Sequence, residues 1–458
     1  MSDVKVFTKI LSNGFSVVVD GKSYETNYPH QIWQNFPQAL KEQLAESAAY
    51  FFTVHLSFFK KGTINYLFPP PLANNLFFQG LFYSVPELTL TNPEEGYKTS
   101  LLLKMFFKSD YQVIFSGIPK GFSVSTIDNN LKTAVIPFSL GKDSLLTYGL
   151  CRELGFDIHN FFLVEPSCIF ENINKDRLIK DFSEEFKTKV TIFPISLGKL
   201  RQNTAAKWGW DMLLMQYTLL LMPYVHWIKP AYFLWSNEQS TNEIVMDKEG
   251  YPINITYEQS IGWTQKMNNL LRIFSSPALL GSLLEPLHEI VILYILHKRY
   301  PQIGKYQLSC LNEHRKSRKQ RWCCSCFECA RVYLFLTVIG LDPADVGFNE
   351  NMLDKQDVKL FNILSEDWPG DKRVVEDSSY GERFLAFYLA YRRGVKGKMI
   401  DIFKLKFLPR TQKLVKKLYA KYFRIYPSKT IPQELLEKIT PIYQSELGKL
   451  KEELTPYL

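Results

Sequence analysis

Hydrophobic and polar residues alternate at the start of the chain, over Val4–Val19, around the dipeptide Asn13-Gly14. Alternation with a period of two indicates strands, and Asn-Gly between two such runs is a strong hairpin signal. Over Gln31–Phe52 the apolar positions recur every three or four residues instead. That spacing predicts a helix that begins or kinks at Pro37. With further strand and helix signals downstream, we predict an N-terminal α+β domain over residues 1–128.

The pattern changes after residue 130, where short, continuously apolar runs alternate with helical patterns. Strands that alternate with helices imply βαβ units, and continuously apolar strands are expected when helices cover both faces of a parallel sheet. We therefore predict an α/β fold with a parallel-sheet core over residues 129–340. The apolar runs are Thr133–Phe138, Phe161–Val164, Val190–Ile195 and Tyr232–Trp235. Three helices are predicted between and after them: one that ends at Leu154, one over residues 176–188 and one over residues 208–222.

The remaining residues, 341–458, are less periodic, and we predict a mostly helical extension with a loop at Trp368–Gly370. Over Lys396–Arg424, ten Lys and Arg residues stand against the single acid Asp401. A solvated helix face is the simplest interpretation. The functional alternative is an electrostatic contact with an anionic ligand or surface.

Composition narrows the class of protein. Of the 458 residues, 46% are hydrophobic and 22% are charged, which is typical of a globular chain and excludes disordered, collagen-like and coiled-coil classes. The net charge of +9 suits anionic ligands without implying nucleic acid. The N-terminus lacks the apolar core of a signal peptide, and polar residues interrupt the most apolar window, Met212–Ile228. We expect a cytoplasmic protein without membrane insertion.

A phosphate-binding loop is predicted directly after the first strand of the α/β region, where a helix begins. The N-terminus of a helix offers unpaired N–H groups and a partial positive charge, and a glycine lets the backbone approach an anion. The G-x-x-x-x-G-K-[ST] spacing of a Walker A loop is absent, and an exposed strand-to-helix turn is the ordinary alternative. The candidate ATP-binding residues are Ser139, Leu140, Gly141, Lys142, Asp143 and Ser144, with Asp143 also a candidate for Mg²⁺.

This hexapeptide resembles the SGGxDS loop of the ATP pyrophosphatase (PP-loop) superfamily, with Leu140 at a usual glycine position. The resemblance implies a reaction that splits ATP into AMP and pyrophosphate, usually to adenylate a carbonyl or carboxylate oxygen. Because the loop joins a strand to a helix, its context agrees with that chemistry.

Five of the seven cysteines fall within residues 310–329, too tightly grouped for a disulfide framework. A C-x12-C-x2-C-x2-C spacing lets four thiolates surround one tetrahedral ion, so we predict a structural Zn²⁺ site. An iron–sulfur cluster and reduced core cysteines are the alternatives. The predicted metal ligands are Cys310, Cys323, Cys326 and Cys329, and Cys324 is left without a role.

The combination of segments is similar to the UDP-N-acetylmuramoyl-L-alanyl-L-glutamate epimerase (MurL) family. Departures from that pattern are Leu140 and Cys324 at glycine positions, Glu285 at a basic position, and Asn312 displaced by Leu311. The shorter 7-cyano-7-deazaguanine synthases share a loop and a four-cysteine site but lack the flanking regions. The segments that carry the resemblance are Ser139–Leu145, Ser236–Ser240, Ser260–Trp263, Ser282–Glu289, Ser309-Cys310 and Arg321–Cys329.

The resemblance implies inversion of the terminal L-Glu of UDP-MurNAc-L-Ala-L-Glu to D-Glu in peptidoglycan synthesis, with ATP as the second substrate. Adenylation removes the charge of the carboxylate and so makes the α-proton easier to remove, after which a base and an acid are needed. Glu238 follows a predicted strand, where ligands sit on open parallel sheets. Glu285, His288 and Glu289 are placed on one predicted helix. The candidate catalytic residues are Glu238, Glu289 and His288.

Two other functions stay open at this point. One is a different PP-loop adenylating enzyme, either 7-cyano-7-deazaguanine synthase-like or tRNA-modifying, for which the basic segment would suit a polyanion. The other is a binding protein whose loop has lost activity through Leu140. For Trp263, stacking on a ligand competes with simple core packing.

Overall fold

The computed structural model describes most of the chain and builds two five-stranded sheets and one two-stranded sheet within it. The described residues are 3–58, 62–91, 96–107, 112–118, 128–201, 209–210, 212–310, 320–365 and 379–458. The strands are β1 Val4–Leu11, β2 Gly14–Val19, β3 Lys22–Asn27, β4 Ile64–Tyr66, β5 Val113–Phe115, β6 Asn130–Pro137, β7 Asp157–Val164, β8 Val190–Pro194, β9 Pro230–Leu234, β10 Ile244–Met246, β11 Pro252–Asn254 and β12 Leu279–Gly281.

Helices surround both large sheets and form most of the C-terminal part of the chain. They are α1 His30–Asn35, α2 Gln38–Thr53, α3 Asn74–Ser84, α4 Leu88–Thr91, α5 Thr99–Phe107, α6 Lys142–Glu153, α7 Ile169–Phe186, α8 Leu213–Leu220, α9 Met222–Ile228, α10 Ile261–Ile273, α11 Glu289–Arg299, α12 Pro301–Gly304, α13 Phe327–Val338, α14 Tyr380–Arg392, α15 Lys398–Lys406, α16 Leu408–Tyr422 and α17 Gln433–Leu454. Among the described residues, no helix has the length and apolar character needed to cross a bilayer.

The N-terminal sheet has the order β3-β2-β1-β4-β5 and confirms the predicted hairpin, since β1 and β2 pair antiparallel with Leu11 opposite Gly14. Gly14 is needed there because a Cβ atom would come within 1.9 Å of the carbonyl oxygen of Thr26. Pro37 separates α1 from α2, as its missing N–H and fixed φ require.

The second sheet is entirely parallel, with the order β12-β9-β6-β7-β8. The predicted α/β class with a parallel sheet is therefore confirmed. Numbered within this sheet alone, β6, β7, β8, β9 and β12 are strands 1 to 5, and from the β8 edge they lie in the order 3-2-1-4-5. The chain thus adds strands outward from β6 to β8 and then returns to the other side of β6 with β9, so the direction of winding reverses between β6 and β9. In open α/β sheets, ligands bind outside the carboxyl ends of the strands at such a reversal.

Helices cover both faces of this sheet, which is why its strands are continuously apolar. Residues of β6 and β9 alternate between two cores: Val135 and Phe233 face the N-terminal region and α8–α10, whereas Ala134 and Tyr232 face α6, α7 and α11. Helix α7 begins earlier than the predicted residue 176. The helix predicted over 208–222 is shorter within the described residues, where α8 ends at Leu220; the chain turns at Leu221 and a second helix, α9, then runs to Ile228.

The helices α13–α17 pack on the same core as α6 and α11, so the C-terminal region shares hydrophobic surface with the parallel sheet. The basic segment forms α15 and α16, with Val415 and Leu418 buried and Lys413 and Lys416 exposed. The exposed lysines agree both with a solvated helix face and with an electrostatic contact to an anionic partner. Trp368–Gly370 and Asn312 lie outside the described residues.

Candidate functional site

The predicted phosphate loop occupies the connection from β6 to α6, at the winding reversal of the parallel sheet. Leu140 has a φ of +59°, in the left-handed region that favours glycine, which accounts for the glycine usual at this position in SGGxDS loops. Leucine is held there because its side chain is wholly buried and its carbonyl accepts a 2.8 Å hydrogen bond from the Leu308 amide.

Two serines fix the shape of the loop. The Ser144 hydroxyl accepts from the Ser139 amide at 3.2 Å and donates to the Gly141 carbonyl at 3.2 Å. The Ser139 hydroxyl accepts from the Gly141 amide at 3.3 Å. Gly141 is the residue preceding α6, so the first amides of the helix open beside a pre-shaped turn, as anion binding requires.

Lys142 is the first residue of α6, and its ammonium group lies among three carboxylates. Its Nζ is 2.8 Å from both carboxylate oxygens of Asp143, 3.3 Å from Glu238 Oε2 and 3.8 Å from Glu289 Oε1. The side chain of Lys142 is only 7% exposed. The structure therefore brings together two predicted loop residues and two of the three predicted catalytic residues.

The fold explains why residues so distant in sequence meet here. Glu238 follows β9, the neighbour of β6 across the winding reversal, and its backbone is held where the Gln239 amide donates to the Leu287 carbonyl at 2.9 Å. The Ser240 hydroxyl also donates to Glu238 Oε1 at 2.5 Å. Glu289 begins α11, where a carboxylate is favoured by the helix dipole.

Arg331 completes the charge arrangement, and sequence reasoning missed it. It lies on α13, with its Nε 3.4 Å from Glu289 Oε1 and its guanidinium also hydrogen-bonded to Glu328. A signal was present, since Arg331 comes two residues after Cys329 and the cysteine cluster fixes the start of α13.

Burial and charge shift the pKa values of several groups around Lys142. Burial alone would lower the pKa of Lys142, but Asp143, Glu238 and Glu289 together raise it above its ordinary value. Burial raises the pKa of Asp143, against the effect of Lys142. Lys142 therefore stays protonated, as a group that binds phosphates must.

Two further acids, the buried Glu382 and the partly buried Glu243, interact with this cluster and were not predicted. Glu382 on α14 accepts a 2.8 Å hydrogen bond from the Ile290 amide at the start of α11, and burial, with Glu289 and Glu238, raises its pKa well above the ordinary range. Glu243 pairs with Lys421 at 3.0 Å, and burial raises its pKa to about 7.

His288, the third predicted catalytic residue, is buried immediately before α11. Its ring packs edge-on against Tyr422 and Tyr426, with centroids 4.8 and 5.3 Å away. Neither ring nitrogen has a hydrogen-bond partner within the described part of the chain. Burial, with the positive charges of Lys421 and Arg424, lowers the pKa of His288 to about 3, so the ring is neutral at physiological pH.

The expectation that Glu285 shares a helix face with Glu289 is wrong. The helix α11 begins at Glu289, and Glu285 lies before it. Its carboxylate accepts hydrogen bonds from Ser428 Oγ at 2.9 Å, from the amides of Lys429 at 2.6 Å and Thr430 at 2.9 Å, and from the Thr430 hydroxyl. Glu285 thus anchors the loop between α16 and α17.

Trp263 belongs to the core. Its side chain is wholly buried in the cluster between the N-terminal region and the parallel sheet, with its ring 5.5 Å from that of Tyr257.

The four predicted metal ligands converge. The sulfur atoms of Cys310, Cys323, Cys326 and Cys329 all lie within 4.8 Å of one another, with the closest pairs 3.5–4.0 Å apart. Four thiolates about 2.3 Å from a tetrahedral Zn²⁺ would be about 3.8 Å apart, so this set fits a structural zinc ion.

Cys324 lies apart from this thiolate set. It has a φ of +50°, which accounts for the glycine expected at this position, and its thiol donates to Asn349 Oδ1 at 3.4 Å. Its side chain is therefore turned toward the segment after α13.

Comparison with known proteins adds no family assignment. No protein-family model, curated protein or solved structure matches this chain.

Proposed function

We propose that this chain is an ATP-dependent, PP-loop-type epimerase that converts the terminal L-Glu of UDP-MurNAc-L-Ala-L-Glu to D-Glu, in the cytoplasm, during peptidoglycan precursor synthesis. The observation that carries the proposal is Lys142 at the winding reversal of a parallel sheet, within 4 Å of carboxylates from three elements. The sequence resemblance supplies the substrate, and the geometry of the site supports the chemistry.

The loop and the sheet reversal support the nucleotide half of the reaction. The start of α6 presents backbone amides and Lys142 on the carboxyl side of β6, and both favour a triphosphate. ATP would supply activation of a carboxylate, with loss of pyrophosphate. Asp143 offers an oxygen ligand of the kind that Mg²⁺ prefers, and the phosphates would provide others.

Glu238 and Glu289 support the proton-transfer half. They reach Lys142 from different elements, the end of β9 and the start of α11, so two carboxylates are available for two faces of one carbon atom. Inversion requires that one group removes the α-proton and that another returns a proton on the opposite face. The neutral, aromatic setting of His288 favours a packing role for its ring instead.

The four-cysteine set supports the site indirectly. A zinc ion there would hold Cys326 and Cys329 at the start of α13, and α13 carries Arg331 to Glu289. The metal would then position a charge of the site and take no part in the reaction.

The direct test incubates the full chain with ATP, Mg²⁺ and UDP-MurNAc-L-Ala-L-Glu, and measures AMP, pyrophosphate and D-Glu by chiral analysis. We expect all three products from the wild-type chain and none from Lys142→Met. Absence of both AMP and D-Glu from the wild-type reaction would refute the proposal.

The roles of the two glutamates are separable in D₂O. We expect Glu238→Gln and Glu289→Gln each to keep AMP release but lose inversion. The variant that lacks only the proton-returning group should still exchange the α-proton of the L-substrate for deuterium. Exchange and inversion at wild-type rates in both variants would exclude these residues as base and acid.

A second candidate, a tRNA-modifying PP-loop enzyme, is favoured by the exposed basic face of α16, with Lys413 and Lys416 in solvent. Such a face suits a polyanion. AMP release stimulated by tRNA and abolished by added salt would select it, whereas AMP release that depends on the muropeptide nucleotide alone would exclude it.

A further inference from the structure

The helix α11 begins inside the protein, and the N–H groups of its first turn need an acceptor there. Its residues from Glu289 to His297 are all buried, and the first amides of a helix have no partner within the helix itself. A buried N–H group left unpaired costs about as much as a lost hydrogen bond. The preceding residue, His288, makes no side-chain capping bond within the described part of the chain, and its ring packs against Tyr422 and Tyr426 instead.

Glu382 supplies an acceptor from a different helix. It lies in the first turn of α14 and is only 1% exposed. Its Oε1 accepts a 2.8 Å hydrogen bond from the amide of Ile290, which is 92 positions earlier in the chain. Ile290 is the second residue of α11, a position whose amide is commonly capped by the side chain of the residue before the helix. Glu382 therefore caps α11 in place of His288.

The carboxyl group of Glu382 can cap the helix without carrying a charge. Burial, followed by the negative charges of Glu289 and Glu238, raises its pKa well above the ordinary range, so the group is protonated at neutral pH. A protonated carboxyl group keeps an oxygen that accepts hydrogen bonds. Glutamine has the same shape and the same acceptor, whereas methionine fills a similar volume without an oxygen. Glu382→Gln should therefore keep the cap, and Glu382→Met should remove it.

The residue whose position depends most directly on this cap is Glu289, the first residue of α11 and the neighbour of Ile290. Its Oε1 lies 3.8 Å from Lys142 Nζ and 3.4 Å from Arg331 Nε. This oxygen makes no hydrogen bond within the described residues. Since ion pairs of this length orient a side chain less strictly than a hydrogen bond does, the backbone at the start of α11 decides where the carboxylate lies.

We propose that Glu382 is a positioning residue, which caps α11 at the Ile290 amide and so holds the Glu289 carboxylate beside Lys142. A reacting group must be held near its productive geometry, and a displacement of about 1 Å can cost about 10²-fold in rate. The part of Glu289 in proton transfer rests on the proposed function, but the cap can be measured without any substrate. Because Glu382 acts through Glu289, its loss should affect inversion more than AMP release.

Hydrogen–deuterium exchange of the full chain, resolved to single amides, tests the cap. We expect the Ile290 amide to exchange at least about ten-fold faster in Glu382→Met than in the wild type, because its acceptor is lost. In Glu382→Gln the rate should stay at the wild-type value. Exchange at the wild-type rate in Glu382→Met would refute the cap.

The amount of D-Glu formed per AMP released tests the positioning. Unfolded protein lowers both products together, so this ratio does not depend on how much of a variant is folded. We expect Glu382→Met to lower the ratio at least about ten-fold with an unchanged KM for ATP, and Glu382→Gln to keep the wild-type ratio. If Glu382→Met does not fold, Glu382→Asp, which withdraws the carboxyl group by one methylene, should lower the ratio instead. A wild-type ratio in the folded variant would refute the positioning role.

Glu446→Met is the matched control, since it removes a buried carboxylate at the opposite end of the same helix. Glu446 is 2% exposed and pairs at 3.1 Å with Arg299, the last residue of α11 and about 15 Å from its first residue. This variant should lose stability but keep both the Ile290 exchange rate and the wild-type ratio of products. An equal fall of the ratio in Glu446→Met would show a general effect of a loosened helix and overturn the specific role of Glu382.

Two outcomes separate this role from the proposed function. Fast Ile290 exchange in Glu382→Met, together with a wild-type chain that releases neither AMP nor D-Glu, would confirm the cap and refute the proposed function. A wild-type chain that forms both products, with a ratio that Glu382→Met leaves unchanged, would refute the positioning role alone.

Discussion

We expect His288 to make the free energy of unfolding depend on pH, and the substitution His288→Phe isolates its contribution. The ring is 1% exposed, lies 4.8 Å from Tyr422 and 5.3 Å from Tyr426, and has no hydrogen-bond partner among the described residues. Phenylalanine has a similar shape and cannot take up a proton, so it keeps the packing while it removes the titration. We therefore expect a change in the pH dependence of stability more than in stability at neutral pH.

The magnitude follows from the two pKa values. In the folded chain the pKa of His288 is lowered to about 3, whereas an unfolded histidine titrates near about 6.5. Below about pH 6.5 the unfolded chain binds more protons, so the stability contributed by a neutral His288 is complete above that pH and is lost as the pH falls toward 3. Between pH 7.5 and pH 5 the loss is about 2 kcal/mol.

The assay is urea unfolding of the wild type and of His288→Phe at pH 7.5 and pH 5. We expect the wild type to lose about 2 kcal/mol more than the variant between the two pH values. Since the other titrating groups are the same in both proteins, the difference isolates His288. Equal losses would refute the argument, and a variant that releases AMP but no longer inverts the substrate would show that the ring acts in the reaction.

Three further predictions concern the loop and the metal site. Lys142→Met should abolish AMP release and cost about 3–5 kcal/mol of stability, because it leaves buried carboxylates unpaired. Adding Glu238→Gln to this variant should restore part of the stability but not AMP release. Unchanged stability of Lys142→Met would contradict this prediction. Leu140→Gly should destabilise the protein by about 1–4 kcal/mol, since loss of a buried side chain outweighs relief of the left-handed φ. Leu140→Ala keeps the left-handed φ and should be less stable than Leu140→Gly by about 1 kcal/mol. A Leu140→Gly protein more stable than the wild type would refute the packing argument. Cys326→Ser should lose bound zinc, as measured by elemental analysis, and should unfold at a lower temperature. Cys168→Ser, outside the cluster, should do neither. Full zinc content in Cys326→Ser would exclude Cys326 as a ligand.

The cysteine set was predictable because close spacing limits where the thiolates can point. C-x2-C pairs bring thiolates together through local geometry alone, and the distant Cys310 joins them as predicted. Zinc as the bound ion remains a prediction. The predicted end of α6 at Leu154, where the next residue, Gly155, has a positive φ, and the break at Pro37 were predictable for the same reason, since each follows from the backbone of a few adjacent residues.

Residues that act through distant contacts were not predictable. Arg331 and Glu382 reach the start of α11 from α13 and α14, and no local pattern distinguishes them from solvated charges. The spacing of Glu285 and Glu289 predicted that they share a helix face. Instead, the Glu285 carboxylate accepts hydrogen bonds from the amides of Lys429 and Thr430, more than 140 positions away.

The sequence alone therefore determined the N-terminal hairpin, the parallel α/β class, the position of the loop after β6 and the convergence of the four cysteines, since each depends on local periodicity or spacing. Tertiary structure alone decided that Glu238, 96 residues from Lys142, shares its site, and that Arg331 on α13 reaches Glu289 at the start of α11. The physical reason is that such contacts are set by strand order and by how helices pack. Strand order and helix packing depend on the whole buried surface, and the spacing of residues that are close in sequence does not predict them.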